Sequence, residues 1–125
     1  MPGLTAAARN SMLASLVGKA SPNHTITHMS LHDGDPGTTG NNEYSGGSYA
    51  RQAVSEADFG TPTAGEVTLG NDIEFDGVAQ EAVNHIGLWD GTEFLGGRQI
   101  DGSEEFNSNG KYVIAQGTKL ELDNA

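Results

Sequence analysis

The sequence predicts a mainly β fold: an antiparallel β-sandwich or jelly-roll-like barrel of about seven to nine short strands with one N-terminal α-helix. Three observations predict it. Short stretches rich in β-branched, aromatic and long apolar residues recur at roughly ten-residue spacing. Turn pairs such as Asp76–Gly77, Asp90–Gly91 and Asn109–Gly110 separate them. Glycine reaches 18 of 125 residues with no three-residue period, which suits many turns and excludes collagen.

The helix comes first. Leu4, Ala8, Met12, Leu13 and Leu16 fall near helical spacing, with Arg9 and Ser15 outside that stripe. Three alanines at 6–8 favour helix, Thr5 can cap its start, and Gly18 can end it. Residues 1–20 therefore read as a helix that packs on its own domain or docks on a neighbour. Arg9, Asn10 and Ser11 break its apolar run and no charge precedes it, so it does not read as a secretion signal.

Residues 21–125 read as a single β-sandwich domain. Strands are expected at 25–31, 49–57, 66–69, 73–75, 82–89, 93–95, 98–100, 111–115 and 119–122. Gly96–Gly97 reads as a break between two of them. The expected core is Ile26, Met29, Leu31, Val54, Val67, Leu69, Ile73, Phe75, Ile86, Leu88, Phe94, Leu95, Val113, Leu120 and Leu122. Trp89, the single tryptophan, is expected to be at least partly buried, with an interface anchor as the alternative.

Between the first two strands runs HDGDPGTTGNNEYSGGSYARQAV, residues 32–54, nearly free of aliphatic side chains for about twenty positions. A loop of that length in a small domain points to function or to an interaction surface. Its Tyr44 and Tyr49, with Arg51 beside them, are interface candidates. On the helix the candidates are Leu4, Met12, Leu13 and Leu16.

Charge excludes several partners. Seventeen acidic residues against six basic ones give a formal net charge of −11, which repels nucleic-acid phosphates and anionic membranes. No apolar run is long enough for a membrane span, and without cysteine there is neither a disulfide nor a thiolate metal site.

Catalytic and cofactor chemistry find no support. His24, His28 and His32 are four apart, but on strand-like sequence neighbouring pairs sit about 13 Å apart, too far to share one ion. His85 reads as structural. Asp33–Gly34–Asp35 opens like a calcium loop, yet the twelfth position from Asp33 is Tyr44, with Glu43 one residue short. Nucleophile-elbow, P-loop and zincin motifs are missing, and Glu104–Glu105 reads as solvated charge. The expectation is no enzyme, no cofactor and no metal.

The phrase from Ser30 to Glu43, SLHDGDPGTTGNNE, followed by Ser45 to Ala53, SGGSYARQA, resembles a family of small virion structural proteins of tailed phages, often labelled tail fibre, minor structural or decoration protein. The likeness extends to the Ala-rich helix, to Ile86–Gly–Leu–Trp–Asp90, to Glu93–Phe–Leu–Gly–Gly97 and to Gly117–Thr–Lys–Leu120. It implies a β-sandwich component of the particle, without enzyme activity, made in the host cytoplasm and carried on the virion surface. Its partners would be other virion proteins, a major capsid protein or tail proteins, and copies of itself, trimers included. The first expectation is a capsid decoration, cement or vertex protein that staples shell subunits through many weak contacts. The alternative is a tail-fibre or tail-tip module that meets the host surface.

Overall fold

The computed structural model describes residues 4–64 and 66–121. One helix, α1 (Ala6–Leu16), precedes eight strands among the described residues. These are β1 (His28–His32), β2 (Gln52–Ala53), β3 (Glu66–Thr68), β4 (Ile73–Asp76), β5 (Ala82–Asp90), β6 (Glu93–Glu105), β7 (Lys111–Ile114) and β8 (Lys119–Glu121). A 3-10 turn, Glu56–Asp58, lies between β2 and β3.

The mainly β, antiparallel architecture follows the expectation. One sheet has the order β2-β1-β5-β6, and two ribbons, β3–β8 and β4–β7, complete the fold. Met29 and Leu31 of β1, Ile86 and Leu88 of β5, Phe75 of β4, Ile114 of β7 and Leu120 of β8 share one core. Thus the second layer is two ribbons rather than one continuous sheet.

Thr5 caps α1 as expected, accepting from the Ala8 N–H at 3.3 Å, and Gly18 leaves the helix at φ +77°. The 49–57 stretch differs. Only Gln52 and Ala53 pair with β1, because the flanking Tyr49 and Arg51 are held by side-chain bonds to Glu43 instead of a ladder. Nor is there a break at Gly96–Gly97. Both glycines pair within β6, Gly96 with Leu88 and Gly97 with Gly87, and Gly96 also bridges to Leu4. Lacking side chains, they let the N-terminal segment approach the strand closely.

Val113 corrects the expected core. It pairs with Glu74 on the outward side of the β4–β7 ribbon and is 39% exposed. Its neighbour Ile114 fills the core position, as alternation requires. Ile26 and Val67 lie at the core's margin, whereas Leu122 falls outside the described residues. The buried Phe106 was not anticipated. It sits under Gly77, where an added Cβ would come within 2.5 Å of its ring.

The four-stranded sheet is covered on both faces. In β1, every residue from Met29 to His32 is fully buried. Register places His28, Ser30 and His32 opposite Trp89, Gly87 and His85, on the side away from Met29 and Leu31. Trp89 and Phe94 are buried yet lie outside the main core cluster. What covers this second face is the long polar loop.

The braced loop and the outward face of the helix

The loop after β1 is folded onto the sheet. The Pro36 carbonyl accepts from the N–H groups of Gly40 and Asn41, and Asp33 N–H donates to the Asn42 carbonyl. Gly40, at φ +80°, brings its backbone onto Trp89, and a Cβ there would lie 2.5 Å from the indole. Beneath it runs a chain of polar contacts. Trp89 Nε1–H donates to Ser30 Oγ at 2.8 Å, and Ser30 Oγ meets His32 Nε2 at 2.7 Å. His32 Nδ1 meets the Asn41 carbonyl at 2.7 Å. A carbonyl only accepts, so Nδ1 carries the proton and Nε2 accepts from the serine hydroxyl.

Ser30 and His32 have the spacing of a nucleophile and its base. Neither has any accessible surface, and the serine oxygen is also held by the indole. The pair secures the loop to the sheet and offers no path to a substrate.

The structure withdraws Tyr44 from the expected interface. It is 5% exposed, its hydroxyl donates to Glu81 at 2.5 Å and accepts from Val78 N–H, and its ring packs 4.8 Å from Phe106. Tyr49 is half-buried and nearly parallel to Phe75. Its hydroxyl donates to Glu43 and accepts from Leu31 N–H, and burial pushes it well above its ordinary pKa. Arg51 grips the Glu43 carboxylate through Nε and Nη2 and lies 3.5 Å over the Trp89 ring. These three side chains brace the loop and form no outward aromatic platform. Sequence alone gave each of them a polar-loop setting, and only the sheet register shows what lies beneath.

The histidine environment makes a pH prediction. Burial lowers the pKa of His32 from 6.5, opposed by its bond to the Asn41 carbonyl; burial also lowers that of His85, opposed by Asp35. The unfolded chain therefore binds protons at a higher pH than the folded one. Stability should be full above about 6.5 and decline as pH falls from there toward the folded pKa values, by at most about 1.4 kcal/mol per pH unit for each histidine. Urea denaturation at a series of pH values checks this, and His32→Gln should flatten the slope.

The helix candidates divide. Leu4 bridges to Gly96 and packs on the core. Ala8, Ser11 and Ala14 form the buried face of α1, anchored where Thr5 N–H donates to the Leu95 carbonyl and Ser11 Oγ accepts from His24 N–H. The larger apolar residues face away: Met12 is 39%, Leu13 57%, Leu16 81% and Val17 68% exposed. The expected single stripe is therefore split. Small residues at 8, 11 and 14 were the signal for the inner face, because they let the helix backbone lie close to β6.

Charge follows the same division. Every acidic residue lies at or beyond Asp33, and Arg9 and Lys19 are the only formal side-chain charges before it. The segment bearing the exposed apolar patch is thus mildly cationic, and the remainder is strongly anionic.

No curated protein matches the chain. A family model described as "Podophage GP4 fiber I protein gp80" matches residues 3–120, from the helix through β8's Leu120. The match spans the helix, the loop and the strands whose motifs resemble a tailed-phage virion family. The chain accordingly belongs to the podophage GP4 fiber I protein gp80 family, a family of phage fibre proteins.

Proposed function

We propose that the chain is a non-enzymatic structural subunit of the tail fibre apparatus, fastened to a neighbouring virion protein through the outward face of α1. The observation that carries the attachment is the sidedness of that helix. Its small residues face its own sheet while Met12, Leu13, Leu16 and Val17 face out. A contiguous apolar patch on a chain of charge −11 marks a contact site. The acid-free segment around it suits a partner surface with an acidic rim.

The family description supports a tail position over the capsid-cement role that the sequence first suggested. Particle-associated multivalency applies in either place. The buried Ser30–His32 pair supports a role without catalysis. Host contact, where the fibre makes it, does not use Tyr44, whose ring and hydroxyl are both occupied inside the domain.

Gold-labelled antibodies raised against the folded chain test the location. Label at the tail is the expected result. Label distributed over the icosahedral shell would return the reading to decoration.

A further inference from the structure

A cleft of about 570 Å³ opens between the outer strand β6 and the segment from β7 to β8. Its floor is apolar: Ile86, Ile100 and Ile114 line it, each at most 7% exposed. That volume lies within the range of small-molecule sites, and an apolar floor with a few converging polar groups is how such sites are built.

The polar groups are unusual for this chain. Arg98 stands opposite Ile86 in the β5–β6 register, so its side chain starts on the same side of the sheet as the cleft floor. The other cations of the β domain are engaged: Arg51 by Glu43, Lys111 by Asp76, and Lys119 at 3.6 Å from Glu66. Among the described side chains Arg98 has no ion-pair or hydrogen-bond partner, although it is half-buried and its guanidinium carries five donors. Lys119, Thr118 and Glu104 also line the cleft. The Tyr112 hydroxyl lies within the fields of both charges. Burial raises its pKa, with Glu104 reinforcing and Arg98 opposing the shift.

We propose that this cleft binds an acidic sugar, its carboxylate taken by Arg98, its hydroxyls by Glu104 and Thr118, and the apolar side of its ring by Tyr112. The carboxylate of Glu104 only accepts, so the ligand must carry hydrogen-bond donors beside its anion. A hydroxylated ring with one carboxylate meets that need, and a bare carboxylate does not. The net negative charge of the chain does not forbid it. At physiological salt the screening length is about 8 Å, so the distant acidic residues are largely screened from a ligand held at Arg98. The site is separate from the outward face of α1.

The test is amide NMR of the full chain titrated with D-glucuronate, with D-glucose and acetate as controls. Glucuronate should shift the signals of Ile100, Tyr112 and Thr118 saturably, with a dissociation constant of about a millimolar, as suits a ligand of this size. Glucose and acetate should leave those signals in place at the same concentrations. Arg98→Gln should keep the dispersed spectrum of the folded chain and weaken glucuronate binding at least about tenfold. Silent cleft signals, an equal response to either control, or undiminished binding by a folded Arg98→Gln chain would overturn the proposal.

Discussion

Trp89→Ala should lower the unfolding free energy by about 3–5 kcal/mol. That is a large share of the roughly 5–15 kcal/mol that holds an ordinary domain together. The indole is 5% exposed and lies between three supports: the Gly40 backbone, the Phe94 ring at 5.0 Å and the Arg51 guanidinium. Removing it opens a cavity under the loop and leaves Arg51 without its ring. It also takes away the donor that begins the chain through Ser30 and His32 to Asn41. Trp89→Phe keeps most of the volume but loses the N–H and part of the indole, so it should cost less than alanine, about 1–3 kcal/mol. Urea denaturation followed by far-ultraviolet circular dichroism compares the three chains. A loss below about 1 kcal/mol for alanine would mean that the loop does not depend on the second face of the sheet.

Leu13→Gln combined with Leu16→Gln should leave the fold intact and remove the protein from particles. Both side chains are mostly in water, and glutamine has nearly the helix propensity of leucine, so stability should change by less than about 0.5 kcal/mol. At a docked interface the same two leucines would each contribute about 1.5–3 kcal/mol of burial. Losing both weakens a single contact by at least about a hundredfold. Denaturation of the isolated chain and quantitative immunoblots of purified particles separate the two effects. A double variant that unfolds would show that α1 relies on its outer face for its own stability. One that is retained at full copy number would show that the helix faces nothing in the particle.

Alternation and turn chemistry made most of the strand framework legible. The Asp90–Gly91 pair between Trp89 and Glu93 marked the β5–β6 hairpin, and Thr5 and Gly18 marked the ends of α1. Other features depend on contacts distant in sequence. Ser30, His32 and Gly87 look ordinary one by one. Only the β1–β5 register brings them together, and a Cβ on Gly87 would then lie 2.3 Å from Ser30 Oγ. The loop looked like a free surface because its composition is polar, but its backbone and side chains bond inward. Sequence periodicity alone puts the helix's apolar residues in one stripe, because large apolar residues normally define the buried face. Here the close approach of α1 to β6 selects Ala8, Ser11 and Ala14 instead, and the larger residues are left outside. Arg98 left no mark in the sequence, since nothing local distinguishes it from the paired cations.

The most direct measurement is a cryo-electron microscopy reconstruction of the intact particle at side-chain detail, centred on the density of this chain. The account predicts density at the tail, with Leu13 and Leu16 covered by a neighbouring protein and the loop from Asp33 to Tyr49 still folded on Trp89. Density on the icosahedral shell, or tail density in which the outer face of α1 remains in solvent, would contradict it.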